Sequence, residues 1–346
     1  MVRKVFLLIF PLLTATLLDA GSITLVLTGD IMLGTTFPHP FLPPDRGRNL
    51  FNEALPILKS GDIIFGNLEE TLNDNCLCVK KVKKGKVYAF RSPVTFVVTL
   101  KEAGYNILSL ANNHTFDFGE CGLKETENTL KKVGIQFATK DEKIATFNIR
   151  GIKIALMAVS FGPPPGSILY PEEILKRVKE LSDKYDILLI SVHNGREGLS
   201  ALHVKDEEEI FYGEDRGNIY RFAHRAIDAG ADLIIGHGPH VPRGMEVYRK
   251  RLIIYSLGNF CTYGWIALKK EEGLAPVVRV ELDRDGKFIK GRIFSFIQKP
   301  PGGPVTDSEQ RALKLIEQLS KEDFGEKAPA FNNDGEFYPP SLQKEN

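Results

Sequence analysis

The sequence predicts an α/β protein, a four-layer α/β/β/α sandwich in which two packed mixed sheets carry helices on their outer faces. Three observations predict it. Over the first two-thirds of the 346 residues, short apolar runs alternate with longer amphipathic stretches, the pattern of βα units. The last third is richer in strands, with runs at 245–248, 252–256, 277–282 and 290–297. A hydrophobic content of 43% and a charged content of 26% are those of a soluble globular chain able to bury a large core.

The elements follow in order. Residues 1–21 read as a signal peptide or an N-terminal anchor. Arg3 and Lys4 make a basic start, Val5 to Leu18 is apolar except at Pro11, Thr14 and Thr16, and small residues follow at Ala20, Gly21 and Ser22. The run is shorter than the ~20 residues of a membrane span and fits a secretory h-region. Either reading exports the chain, to a periplasmic or extracellular place, and no Cys stands near the junction to accept a lipid. The main domain then covers 22–299, and 300–346 supplies a terminal helix from about Ser308 to Ser320 and a polar, loose tail.

Within the domain, Ile23–Leu27 is a β-branched strand ending in Thr28-Gly-Asp-Ile-Met32. A Pro-rich loop leads to a helix expected at 49–59, and Asp62–Phe65 is the next strand. Residues 73–91, with two Cys and five Lys, read as a polar excursion over the rim. Pro93 opens a helix to Ala103, Tyr105–Leu110 is a buried strand, and Glu120–Val133 is a helix. Strands follow at 136–139, 146–149 and 153–160, a helix at 171–182 and a strand at 186–192. The acidic stretch 206–215 reads as a solvated loop or helix start; 219–229 is a helix closed by Gly230, and 232–235 is a strand. Asp283-Arg-Asp-Gly286 is a hairpin turn.

A net charge of +1 argues against a nucleic-acid binder driven by a basic surface. In an oxidising compartment Cys76 or Cys78 can pair with Cys121; a metal site at Cys-x-Cys is the rival reading.

The chemistry gathers where strands end, the place where ligands bind in open α/β sheets. In order these ends offer Asp30, Asn67 with Glu69, then Asn112, Asn113, His114 and Asp117, then His193 with Glu197, and finally His237 and His240. Carboxylate and amide oxygens with imidazole nitrogens suit divalent Mn, Fe or Zn, one ion or two. Two ions can clamp a phosphoryl group and a water-derived nucleophile. Asp30 also reads as a turn cap, and Asn112 as a loop residue that tolerates left-handed backbone. Glu69 has a close rival in Glu70; side-chain alternation along the strand favours Glu69. Asp117 can orient His114 or cap the following helix. Glu197 can hold His193 or bind substrate, and Asn259, at the end of Ser256-Leu-Gly-Asn-Phe260, can line a pocket or simply turn the chain.

Taken together, Thr28-Gly-Asp-Ile-Met, Gly66-Asn-Leu-Glu, Ala111-Asn-Asn-His-Thr-Phe-Asp-Phe-Gly, His193-Asn-Gly-Arg-Glu, Gly236-His-Gly-Pro-His-Val and Ser256-Leu-Gly-Asn-Phe resemble the CapA-type capsule-synthesis family over residues 22–299. That resemblance implies a fold of the calcineurin-like metallophosphatase kind and a role in poly-γ-glutamate production. It implies Asp30, Glu69, Asn113, His193, His237 and His240 as metal ligands, with Glu69 bridging. It makes His114, oriented by Asp117, the residue that meets a phosphoryl group or protonates a leaving group. Asn67, Asn112, Glu197 and Asn259 are candidate substrate contacts. Three departures from the phosphatase pattern stand out: Met32 replaces a His, the closing pair is spaced His-x-x-His, and Asn194 replaces a Trp. Three functions are therefore expected. One is participation in synthesis, export or processing of an anionic capsule polymer beside a membrane polymer-synthase complex. The others are a metal-dependent phosphoesterase outside the cytoplasm and a non-catalytic polymer-binding subunit.

Overall fold

A computed structural model describes residues 21–83, 87–140, 143–264 and 268–340. The expected signal peptide or anchor, but for Gly21, lies outside the described residues, and no described helix is long and apolar enough to cross a membrane.

The first sheet is built on β1 (Ile23–Met32) and β2 (Ile63–Leu68). It continues through α1 (Val97–Ala103), β3 (Ile107–Ser109), α2 (Gly119–Lys132) and β4 (Gln136–Ala138), all three strand pairings parallel. The second sheet takes β5 (Ala145–Ile149), β6 (Ile152–Ser160), α3 (Pro171–Ser182), β7 (Ile187–His193), α4 (Ile219–Asp228), β8 (Leu233–His237), β9 (Met245–Tyr248) and β10 (Arg251–Ile254). Its order is β9-β10-β8-β7-β6-β5, parallel at the centre and antiparallel at both edges. The chain then returns to the first sheet with β11 (Asn259–Thr262), β12 (Val277–Leu282) and β13 (Phe288–Phe294). After α5 (Arg311–Phe324) come β14 (Ala330–Phe331) and β15 (Glu336–Tyr338). The first sheet runs β14-β15-β13-β12-β1-β2-β3-β4, with β11 beside the end of β1.

The layers follow from strand periodicity. Leu25, Leu27, Ile63 and Phe65 point inward to meet Ile154, Leu156, Leu189, Ile235 and Ile254 of the facing sheet. Their neighbours Val26, Ile64 and Leu108 point outward onto Phe51, Leu100 and Leu130. Met157, Leu188, Ile190 and Ile234 point outward onto Val178, Phe222 and Ala226. Central parallel strands are thus apolar on both faces, as burial under helices on one side and a second sheet on the other demands. The four-layer α/β/β/α sandwich read from the sequence is the fold.

Local differences have physical causes. The helix expected at 49–59 shrinks to Leu55–Leu58, because Pro56 can start a helix but cannot donate within one. The tail read as loose instead forms β14 and β15. Phe337 is fully buried against Phe288 and Phe331, so an apolar anchor hidden in a polar stretch docks the segment. The acidic 206–215 stretch is a small hairpin, Ile210–Phe211 with Glu214–Asp215, rather than only a solvated face. Within it Glu209 is buried and paired with the fully buried Arg243 at 2.8 and 2.7 Å. The sequence reading missed β11. The disulfide is Cys76–Cys121, leaving Cys78 and Cys261 free.

Candidate metal centre

The carboxyl ends of β1, β2, β7 and β8 come together where the two sheets meet. In the ladder Asp30 stands between Asn67 and Asn259, and His237 stands beside His193. The register shifts on both sides of Asp30, a bulge of the sort that re-aims a side chain at a strand end. Gly29 permits this, since a Cβ there would lie 2.0 Å from the Gly258 carbonyl oxygen, which accepts the Asp30 N–H at 2.9 Å.

Asp30 is fully buried at the hub. Its Oδ1 accepts from Asn67 Nδ2 at 2.8 Å and lies 3.2 Å from His237 Nδ1, outside hydrogen-bond alignment. Its Oδ2 is 3.1 Å from His240 Nδ1, which is also 3.0 Å from Asn259 Oδ1. Glu69 Oε1 is 3.5 Å from His193 Nε2 and 3.8 Å from His240 Nε2. Asn67 Nδ2 is 3.4 Å from His193 Nδ1, so the second sheet touches the first. Ligand atoms of Asp30, Glu69 and His240 all lie within 4.8 Å of one another. His240 takes a left-handed backbone, φ 58°, which costs energy outside glycine and collects at functional sites.

The electrostatics are those of a buried, charge-dense pocket. Burial pushes Glu69 well above the usual carboxylate range, and the Asp30 charge adds to it. Burial acts on Asp30 in the same sense, but the close His237 and His240 imidazoles overcome it and hold Asp30 low. Burial opposes protonation of His240, yet Glu69 and Asp30 raise it well above the usual imidazole range. His193 is driven well below that range, chiefly by burial.

Both Glu69 carboxylate oxygens, His193 Nε2 and both His237 ring nitrogens are buried without a hydrogen-bond partner among the described residues. Buried polar atoms left in that state cost free energy unless something satisfies them. Carboxylate oxygens and imidazole nitrogens converging at these distances are a donor set that fits a divalent cation. Glu70, the rival of Glu69, turns the other way. Its Oε1 accepts from the Leu33 N–H at 2.9 Å and its Oε2 is 2.6 Å from Ser92 Oγ.

A second group flanks the centre on the 111–119 loop. Asn112 Nδ2 donates to Asn67 Oδ1 at 3.1 Å and to the Leu68 carbonyl at 2.9 Å, and Asn112 Oδ1 accepts the His114 N–H at 3.0 Å. His114 Nδ1 is 2.7 Å from Asp117 Oδ2, whose other oxygen is 2.7 Å from Lys80 Nζ. Burial pushes His114 below the usual imidazole range, against the pull of the Asp117 charge. The structure joins Asn112, not Asn113, to the hub. Asn113 gives its carbonyl to Lys80 at 3.1 Å, and its Oδ1 is buried without a partner. Glu197 sits at the edge and pairs with Arg216 at 3.0 Å.

Sequence reasoning missed Lys80, Arg216 and Phe90. Phe90 packs 4.6 Å from the His114 ring, and Arg216 lies 4.0 Å over Phe161, itself 6.1 Å from the His193 ring. Only the proximity of Lys80 to Cys76 and Cys78 could have singled it out among the five lysines of its segment.

Buried carboxylates and imidazoles meeting where two sheets of an α/β/β/α sandwich end define the class: a protein with a strand-end centre suited to a divalent cation. Residues 24–263 match the family described as bacterial capsule synthesis protein PGA_cap, and the chain belongs to that family. It is similar to the capsule biosynthesis protein CapA of Bacillus anthracis, 29% identical over 87% of this chain and 74% of that protein. It is also similar to the PGA biosynthesis protein CapA of Bacillus subtilis, 27% identical over 85% of this chain and 77% of the other. Among solved structures, a 5'-nucleotidase precursor from Thermus thermophilus aligns with a TM-score of 0.43 and 13% identity. That alignment covers 87% of this chain but only 59% of the longer enzyme, a likeness too remote to bear on chemistry.

Proposed function

We propose that this protein is exported and takes part in making, exporting or processing an anionic capsule polymer of the poly-γ-glutamate kind, beside a membrane polymer-synthase complex. Family membership supports the polymer, since the two Bacillus relatives are named for capsule and PGA biosynthesis. The apolar N-terminal run supports export. One observation carries the chemistry: five buried oxygen and nitrogen atoms on Glu69, His193 and His237 without a hydrogen-bond partner among the described residues, next to the Asp30 carboxylate.

In this reading Asp30, Glu69, His193, His237 and His240 hold a divalent ion. When bound, such an ion supplies Lewis-acid polarisation of a carbonyl or phosphoryl oxygen. The rest falls to the chain itself. His114 Nδ1 lies 2.7 Å from Asp117 Oδ2, which fixes the ring; in the tautomer that carries its proton on Nδ1, Nε2 is left to take or give a proton. Lys80 pairs with Asp117, and its charge opposes protonation of the imidazole. Asn67, Asn112 and Asn259 brace the hub with amide hydrogen bonds. The His114–Asp117 pair also favours a second reading, hydrolysis of a phosphoester outside the cytoplasm.

Metal analysis of the purified protein tests the centre. Stoichiometric Mn, Fe or Zn is expected, and Asp30→Ala and His193→Ala should each lower it severalfold. Unchanged metal content in both variants would overturn the assignment. Incubation of the metal-loaded protein with poly-γ-glutamate and with an aryl phosphate then separates the readings. Shortened polymer supports processing, aryl phosphate hydrolysis supports the phosphoesterase, and binding without turnover identifies a non-catalytic subunit.

A further inference from the structure

The 73–91 excursion presents a surface the centre does not use. Leu77 is 83% exposed, Val79 62%, Val82 47% and Tyr88 42%. Apolar side chains left this bare on one short segment are unusual for a solvated loop and mark an interaction surface. The same segment is cationic. From Cys76 to Arg91 it holds five Lys and one Arg with no Asp or Glu, in a chain whose net charge is only +1. Lys80 is committed to Asp117, whereas Lys81 and Lys83 are exposed and form no ion pair with a described residue.

The excursion is also held firmly at its base. Cys76 is bonded to Cys121 of α2, the Val79 N–H donates to the Asp117 carbonyl at 3.0 Å, and the Phe90 N–H donates to Asp117 Oδ2 at 2.9 Å. Phe116, 43% exposed, is a further bare apolar side chain on the 111–119 loop that holds this base. The result is a braced finger with an apolar and basic tip, rooted on the loop that carries His114.

We propose that this finger docks on an anionic phospholipid surface, with Leu77, Val79 and Val82 entering the headgroup–acyl boundary and Lys81 and Lys83 pairing with lipid phosphates. The mixed chemistry decides the occupant. A soluble polyanion would draw lysines alone and gain nothing from bare Leu and Val. An anionic bilayer takes both, since interfacial binding combines buried apolar area with electrostatic attraction. Docking in this way turns the 111–119 loop, and with it the strand-end centre, toward the membrane plane. The inference does not depend on the centre's chemistry.

The test uses the full chain with Trp265→Phe and Leu77→Trp, so that the finger carries the sole tryptophan. The chain is mixed with vesicles of phosphatidylcholine alone or with phosphatidylglycerol, each with brominated acyl chains. The N-terminal run can bind either vesicle, but only finger insertion quenches this tryptophan. Quenching with a blue shift in the anionic vesicles and little in the neutral ones is expected. Each lysine near an anionic surface adds ~1 kcal/mol, so Lys81→Gln with Lys83→Gln should weaken insertion roughly thirty-fold. Val79→Ser with Val82→Ser, checked for an unchanged circular dichroism spectrum, should abolish quenching. An unquenched tryptophan on vesicle-bound protein overturns the proposal, as does equal quenching on neutral vesicles. So does shielding of the tryptophan by poly-γ-glutamate without lipid quenching, which would make the finger a polymer grip.

Discussion

Replacing Glu70 by Gln should remove a pH dependence built into the first sheet. Glu70 is fully buried beside the centre but faces away from it, and burial pushes its carboxyl from the ordinary 4.5 up to about 8. The hydrogen bonds require the same proton. The Leu33 N–H donates to Oε1, while Ser92 Oγ, 2.6 Å from Oε2, is also 3.1 Å from the Gly34 carbonyl. Ser92 has one proton. If Glu70 donates to Ser92 and Ser92 donates to Gly34, every group is satisfied; an ionised Glu70 would leave one acceptor without a donor. The sign follows from a raised folded pKa. Below pH 4.5 both folded and unfolded states hold the proton and stability is full. Between 4.5 and about 8 only the folded state holds it, so stability falls as pH rises and levels off above 8. At 1.36 kcal/mol per unit, the loss at pH 7 relative to pH 4.5 is about 3 kcal/mol. The glutamine amide makes the same bonds to Leu33 and Ser92 without a titrating proton. Urea unfolding of metal-free protein from pH 4.5 to 9 should show Glu70→Gln gaining on wild type by about that amount by pH 7. Parallel curves across the range would refute the reasoning.

Other outcomes follow from single observations. Arg243→Met should destabilise by about 3–5 kcal/mol in chemical denaturation, because Glu209 would be left buried without its partner. The doubly apolar Arg243→Met with Glu209→Leu should recover much of that loss, read in the same assay. Gly29→Ala should lower metal content as Asp30→Ala does, since the new methyl must displace the Gly258 carbonyl that sets the β1 bulge. Cys76→Ser with Cys121→Ser should cost about 2–4 kcal/mol for a link closing 45 residues, seen as a lower urea midpoint.

The sequence showed the sandwich because its signals are local. Runs such as Leu25-Val26-Leu27 and Leu188-Leu189-Ile190 are apolar on both faces, and only a strand between two covered layers needs that. Pro171 sets a helix start that the structure keeps, and the helix read at 219–229 begins at Ile219, under an Asn218 Oδ1 cap on the Arg221 N–H that the sequence reading did not single out. What escaped was decided by tertiary contact. Nothing local distinguishes Phe337, yet its burial turns a polar tail into strands. Nothing local distinguishes Glu209 from its acidic neighbours, yet Arg243 reaches it across 34 positions. Lys80 is likewise invisible until the disulfide brings its segment onto the 111–119 loop.

The pair Glu69 and Glu70 shows where the boundary lies. Strand alternation predicts that one faces the centre and the other the opposite layer, and it favours Glu69 for the centre. It says nothing about the state of either. Both carboxyls are fully buried and both are pushed up by burial. Glu70 is provided with the Leu33 N–H and the Ser92 hydroxyl, so the fold meets its needs with its own atoms. Glu69 has two oxygens with no donor and two imidazoles within 4 Å. A buried carboxylate that the fold satisfies is a structural group. One left unsatisfied among imidazoles offers oxygens to a divalent cation, and that contrast is why the proposed centre takes Glu69 and not Glu70.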